Sequence, residues 1–282
     1  MRVLVTGGTG LLGTRLVPCL RDSGFDVMSH GRRDEAEVQA DLLSADSTRL
    51  MLDSIRPEAI VHLVGATSVD QCEVDPDWAY KVNVLTLRHV VDWIQESSGS
   101  QLIYLSTDHV YDGIGKNAEE EVNLRNVYAL TKLWAESVAG LVGAAIIRTN
   151  FFGRSCSPGR ASFTDWVRNV AVRPSDVTLM TDVVFSPLSM ETLSSVIRDL
   201  LQLGISGVFN AGSQDGMSKR DFALMIAERM GLSLDGSKDG TQQDLTLGAR
   251  RPTGMAMDSR RLEEQLGSRF LTLQEELDRA EI

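Results

Sequence analysis

Residues 2–13 read Arg2-Val3-Leu4-Val5-Thr6-Gly7-Gly8-Thr9-Gly10-Leu11-Leu12-Gly13. An apolar run of strand character is followed at once by Gly7-x-x-Gly10-x-x-Gly13, which opens an amphipathic segment. Each glycine has a physical reason to be there. Gly7 permits the tight turn out of the strand, Gly10 lets backbone N–H groups approach a pyrophosphate, and Gly13 lets the helix pack closely on the sheet. The positive end of the helix then favours phosphate charge. A glycine-rich turn alone is weak evidence, but this one lies between strand and helix, as dinucleotide binding requires.

Outward from that turn, short apolar strands alternate with helical periods. Strands are readable at Arg2–Val5, Asp26–Ser29, Ala59–Val64, Gln101–Leu105 and Ala144–Arg148, with helical patterns at Thr48–Ile55 and Trp78–Gln95 between them. This alternation predicts an α/β fold of Rossmann type, a doubly wound parallel sheet with helices on both faces. Pro18 lies inside the first expected helix and should bend or weaken it. After Arg148 the texture changes. Residues 150–158 are rich in Phe, Gly, Ser and Pro, as in a crossover loop. Residues 1–150 are therefore expected to form the dinucleotide-binding domain, and 151–282 mainly a smaller C-terminal substrate-binding lobe. The β-like runs Val177–Met180 and Gly207–Ala211 suggest that the chain returns to the sheet near 177–212. Helical patterns follow at Ser189–Leu203 and Lys219–Met230, and the polar, glycine-rich residues 231–254 are expected to cap the molecule.

With 282 residues, 43% of them hydrophobic, the chain can bury a large core. Its formal net charge of −11 would repel nucleic acid, so no nucleic-acid partner is expected. No apolar run is long enough to span a bilayer, and with a strand starting at Arg2 no leader is expected. Cys19, Cys72 and Cys156 are few and scattered, which makes a reducing cytosol the default and the expected location cytoplasmic. His30, His62, His89 and His109 have no ligand spacing, so no metal is expected. Asp34-Glu35 and Glu119-Glu120-Glu121 read as solvated loop charges. Trp78, Trp93 and Trp134 read as core or interface residues.

The chemistry centres on Tyr128-Ala129-Leu130-Thr131-Lys132. Tyr128 and Lys132 are four apart and share a helix face. An ammonium near a phenol favours the phenolate and makes Tyr128 a usable proton donor or acceptor near neutral pH. That spacing also arises by chance, as a surface Tyr beside a solvated Lys. What lifts it is Tyr104-Leu105-Ser106-Thr107-Asp108, which puts hydroxyls at the carboxyl end of a strand, where α/β ligands bind.

On these residues the chain resembles the extended short-chain dehydrogenase/reductases, and within them the dTDP-4-dehydrorhamnose reductase group together with the related regulatory subunit of methionine adenosyltransferase. The resemblance runs nearly end to end: Ile55 to His62, Val69-Asp70, Ala79 to Asn83, Ser106 to Gly113, Asn126-Val127-Tyr128 through Lys132, and Arg251-Pro252 followed by Met257-Asp258-Ser259. It implies that Thr107 hydrogen-bonds a substrate carbonyl, Tyr128 delivers the proton, and Lys132 holds the nicotinamide ribose and tunes Tyr128. It places Gly7, Thr9, Gly10, Leu11, Leu12, Gly13, Asp41, Leu42, Val64, Gly65, Ala66, Asn83 and Ser106 at the cofactor, with Asp41-Leu42 at the adenine. Asn83 read alone could also be an exposed helix Asn. Asp108, His109, Asn150 and Arg251 are implied at the substrate, Arg251 as a guanidinium suited to a diphosphate, though read alone it could be a surface arginine beside a turn proline; Trp166, in the expected substrate lobe, faces either the ligand or the core.

Cofactor choice is read at the end of the second strand. An acidic residue there would favour NAD. This chain has His30-Gly31-Arg32-Arg33, so Arg32 and Arg33 can pair with a 2′-phosphate and NADP, as NADPH, is expected over NAD. The same two arginines could be a solvated loop pair. Departures from the group are His109 for its Tyr, Ala129 for the Gly after the catalytic Tyr, no Pro before Asn126, and Ser186-Pro187-Leu188 for its Pro-Thr element. Dehydratases of the superfamily carry Glu at the position of His109, which argues against 4,6-dehydration. The expected function is NADPH-dependent reduction of a 4-keto-deoxysugar nucleotide. A non-catalytic NADP-binding regulatory subunit and a nucleotide-sugar epimerase remain as alternatives, and a homodimer is compatible with the resemblance.

Overall fold

The computed structural model describes residues 1–32, 35–97, 99–245 and 247–282. The chain divides into two compact units. The first comprises residues 1–107, 126–148 and 194–209, and the second comprises 108–125, 149–193 and 210–282. The division is thus not a single point near residue 150. The segment 108–125 belongs with the second unit, and the chain returns to the first at 194–209.

The first unit is built on a seven-stranded sheet. Its strands are β1 (Arg2–Thr6), β2 (Asp26–Gly31), β3 (Val38–Gln39), β4 (Ala59–His62), β5 (Gln101–Leu105) and β6 (Ala145–Thr149), with Gly207–Ala211 on the outer edge of β6. The order is Gly207–Ala211, β6, β5, β4, β1, β2, β3, and the pairs from β6 to β3 run parallel. Val3, Leu4 and Val5 are fully buried, as are Ala59, Ile60 and Val61, because both faces of the sheet are covered. The covering helices include α1 (Gly13–Asp22), α2 (Ala45–Ile55), the short α3 (Val69–Val74) and α4 (Pro76–Tyr80), α5 (Thr86–Ser97) and α6 (Val127–Gly140). The apolar stripes of α2, α5 and α6 meet in one core with Leu4, Ile60, Leu102 and Tyr104. From β1 the chain winds through β2 to β3 on one side, then crosses to β4 on the other. That reversal opens a crevice at the carboxyl ends of β1 and β4, where ligands of such sheets bind.

Several local features depart from the sequence expectation. α1 runs continuously through Pro18, whose ring lies on the exposed side of the helix. The single helical pattern at Trp78–Gln95 is interrupted by a π-helical turn, Lys81–Leu85. The wide turn carries Asn83, fully buried, into the interior, and such turns often mark functional sites. Val177–Met180 does not return to the central sheet. Residues Thr178–Met180 pair instead with Lys238–Gly240. Only Leu179 of the three is buried, a one-sided pattern that suits a two-stranded ribbon and not a strand covered on both faces. Glu119 is not a solvated loop charge. It is buried, and its Oε1 accepts from the Asn210 backbone N–H at 3.0 Å.

The second unit has its own core of Phe152, Val167, Leu179, Phe185, Phe222 and Ile226 with neighbours, enclosed by the helices Phe163–Val170, Lys219–Arg229 and Leu273–Arg279. Ser162 and Asp165 form a reciprocal cap on Phe163–Val170. Asp112, at its opening segment, accepts from Thr253 N–H at 2.7 Å and pairs with Arg125. Among the described residues no helix is long and apolar enough to cross a membrane.

Candidate active site

The glycine turn is folded onto itself. Gly7 has φ of 73°, open to glycine at little cost. A Cβ there would stand 3.2 Å from the Val64 nitrogen, so the turns after β1 and β4 lie side by side at the crevice. Gly10 N–H donates to Gly7 O at 2.9 Å. A Cβ at Gly13 would come within 2.5 Å of Gly8 O and 2.6 Å of Gly7 O, so α1 can start this close only with glycine. Leu12 is buried, and Leu11 half-buried. Sequence reasoning passed over Gly8, where a Cβ would collide with Ser29 Oγ. The adjacent pair Gly7-Gly8 was the available signal. These contacts leave room for glycine alone, so the turn packs tightly against β2, the turn after β4 and the start of α1.

At the end of β2, a Cβ on Gly31 would lie 2.9 Å from Thr9 Oγ1 and 3.0 Å from the Ala36 side chain. The backbone here leaves no room for a carboxylate side chain. Arg32 is exposed, whereas Arg33 lies outside the described residues. Nearby Glu37 accepts from Ser29 N–H at 2.9 Å and from Arg21 at 2.6 Å. The Ser29 N–H holds its carboxyl below the usual range, with Arg21 acting in the same direction. Asp41 Oδ1 accepts from Leu43 N–H at 3.0 Å, and Leu42 is buried as part of the same core cluster as Met51 and Val90.

The turn after β4 carries Val64, Gly65 and Ala66. Asn83 clamps it: Oδ1 accepts from Ala66 N–H at 2.7 Å, and Nδ2 donates to Thr131 Oγ1 on α6 at 2.9 Å. A Cβ at Gly65 would stand 3.3 Å from Asn83 Oδ1 and 3.9 Å from Lys132 Nζ. The bare Gly65 backbone thus lies against the lysine.

α6 starts at the Asn126 cap, whose side chain accepts from Ala129 N–H at 2.9 Å. Tyr128 is in its first turn and Lys132 one turn later, both buried. Lys132 Nζ donates to Leu105 O at 2.6 Å and lies 4.2 Å above the Tyr104 ring centre. Burial pushes this ammonium down to about 7, against the opposing pull of the Glu136 carboxylate. Buried Ser106 and Thr107 follow β5 directly. Ser106 Oγ donates to Glu136 Oε1 at 2.5 Å. The first unit therefore gathers Thr107, Tyr128, Lys132 and Asn83 around the ends of β4 and β5.

In the second unit, Asp108 and His109 occupy a tight turn, Asp108–Val110. Asp108 Oδ2 accepts from Asn150 Nδ2 at 2.8 Å. Burial pushes His109 down to about 3, helped by the Lys219 and Arg251 cations, so its imidazole is neutral at physiological pH. Lys219 is held below its usual range by burial, while Asp108 draws it up and Arg251 pushes it down. Asp108, His109, Lys219 and Arg251 thus share one electrostatic neighbourhood. Lys219 was missed by sequence reasoning, although it is one of only five lysines in the chain. Arg251 Nη1 donates to Ala249 O at 3.1 Å. Trp166 is half-buried and stacks on Phe163 with ring centres 5.3 Å apart, which gives it a packing role in the unit's core.

Comparison with known proteins gives the family of the chain. The family model of the RmlD substrate binding domain matches residues 1–280. A probable low-salt glycan biosynthesis reductase, Agl14, of Haloferax volcanii is 27% identical over 290 residues, spanning 98% of this chain and 96% of its own. Methionine adenosyltransferase 2 subunit beta of Danio rerio is 28% identical, spanning 93% and 84%. A crystal structure of a hypothetical dTDP-4-dehydrorhamnose reductase from Sulfolobus tokodaii is 30% identical, spans 99% of this chain and 98% of its own, and superposes with a TM-score of 0.85. The chain belongs to the RmlD substrate binding domain family.

Proposed function

We propose that the protein is an NADPH-dependent reductase of a 4-keto-deoxysugar nucleotide, acting in the cytosol. The observation that carries this reading is Lys132: a buried ammonium against the bare backbone of Gly65, one helical turn from Tyr128, with its Nζ fixed to the strand end that leads to Thr107. Bound NADPH supplies the hydride. Thr107 donates a hydrogen bond to the substrate carbonyl and polarises it. Tyr128 protonates the oxygen as negative charge develops there. Lys132 orients the ribose and lowers the cost of the phenolate that Tyr128 leaves behind. In the second unit, Arg251 and Lys219 supply positive charge for a diphosphate, and neutral His109 offers a hydrogen bond without adding charge.

The test is steady-state NADPH oxidation with nucleotide-linked 4-keto-deoxysugars. Turnover with one of them supports the reading. Intact NADPH binding without turnover, together with co-purification of a methionine adenosyltransferase, would replace it by a regulatory role.

Two substitutions separate the binding sites. Arg251→Ala is expected to raise KM for the sugar nucleotide and to leave NADPH affinity unchanged. The loss of a charge-assisted contact is worth about 1.5–3 kcal/mol, roughly 10–150-fold. Equal KM values for Arg251→Ala and wild type would remove Arg251 from the substrate site. Arg32→Ala is expected to weaken NADPH by a similar factor and to leave NADH nearly unaffected, as read by fluorescence titration of both cofactors. Equal losses would show that Arg32 does not meet the 2′-phosphate.

A further inference from the structure

Glu136 stands four residues after Lys132 and eight after Tyr128, so the three side chains share one face of α6. Its carboxylate is buried and fully engaged. Oε1 accepts from Ser106 Oγ at 2.5 Å and from Arg148 Nε at 2.9 Å, and Oε2 accepts from Arg148 Nη2 at 2.6 Å. Arg148, on β6, is equally buried. Three consecutive residues at the end of β5 are thereby held by α6. Lys132 lies over the Tyr104 ring and donates to Leu105 O, and Glu136 accepts from Ser106. The next residue is Thr107.

A buried ion pair adds little to stability compared with an apolar pair of the same size. Packing α6 against β6 therefore does not require Glu136 and Arg148. What the pair does provide is a carboxylate that cannot rotate away, one turn from a buried ammonium. We propose that Glu136 is a positioning residue: clamped by Arg148, it holds Ser106 and so Thr107 in place, and it supplies the counter-charge for the Lys132 ammonium beside Tyr128.

The groups that face Lys132 fix the direction of the effect. His62, from β4, is neutral: burial pushes it down to about 3, with Lys132 adding to the effect. Tyr104, from β5, is kept protonated by burial, and the Glu136 and Tyr128 charges act in the same sense. Asn83 and Gly65 carry no charge. Arg148 reaches the site through Glu136. Removing the carboxylate takes away the attraction that opposes burial at Lys132, so the Lys132 midpoint falls.

The experiment is lysine-selective ¹³Cε NMR titration of the ligand-free protein, feasible because the chain has five lysines. The Lys132 signal is assigned by its absence in Lys132→Met. In Glu136→Gln the Lys132 midpoint is expected to fall by about one pH unit, while Glu136→Asp, which keeps the charge, stays near wild type. This readout does not depend on the reductase reading. The consequence for turnover does rest on it: the alkaline limb of kcat/KM should move to lower pH in Glu136→Gln and return in Glu136→Asp. Should Glu136→Gln fail to fold with Arg148 left uncompensated, the double variant Glu136→Gln/Arg148→Met removes both charges and should shift the Lys132 midpoint in the same direction by a smaller amount, because the Arg148 cation that opposed the carboxylate is lost with it. An unchanged Lys132 midpoint in a folded Glu136→Gln or double variant would overturn the proposal, whatever substrate is found.

Discussion

Tyr128→Phe is expected to lower kcat by about 10²–10⁴-fold, the usual worth of a positioned general acid. NADPH affinity and Tm should stay close to wild type. Tyr128 is buried in the first turn of α6, and the phenylalanine ring fills the same volume. The Asn126 cap on Ala129 N–H does not involve the hydroxyl, so the helix start is preserved. The ring packing is kept and the transferable proton is lost. Steady-state kinetics with an active ketone, run beside a cofactor titration and a thermal melt, distinguishes this from a general loss of structure. A mutant that turns over at nearly the wild-type rate would strip Tyr128 of the acid role.

The first unit was legible because its signals are local. A strand, three glycines at fixed spacing and a helix follow one another within residues 2–22, and Tyr128 and Lys132 lie on a single turn of one helix. The alternation of buried runs with amphipathic segments gave the parallel sheet for the same reason. What sequence reasoning missed depends on distant partners. Glu136 looks like an ordinary helix glutamate until β6 brings Arg148 to it and β5 brings Ser106. Glu119 reads as part of an acidic loop, yet its partner, the Asn210 N–H, is 91 residues away. Lys219 acquires its meaning from Asp108 and Arg251, each more than 30 positions distant. Val177–Met180 has strand character, but strand character does not name a partner, and Lys238–Gly240 takes it. Asn83 was found through resemblance. Its physical reason, a π-helical turn that drives the side chain inward to hold Ala66 and Thr131, is invisible in helix periodicity.

Lys132→Met is expected to abolish turnover and at the same time raise Tm. In the proposed reading the lysine is kept for function at a cost to stability, since burial pulls its ammonium from the ordinary 10.5 to about 7. Between those values the unfolded chain binds a proton that the folded chain does not, so stability rises with pH across the window. Below about 7 both states carry the charge, and the folded state bears the full desolvation penalty. Methionine has no such charge and fills the space between the Tyr104 ring and Leu105 with an unbranched apolar chain. The Tm gain of Lys132→Met over wild type should therefore be largest near pH 6 and shrink steadily toward pH 10, where the wild-type lysine has become neutral in the folded state. Thermal melts of the two proteins across that range provide the measurement. A gain that is absent at pH 6, or that grows with pH, would mean that Lys132 is adequately solvated or paired in the folded protein, and the cost ascribed to its burial would have to be withdrawn.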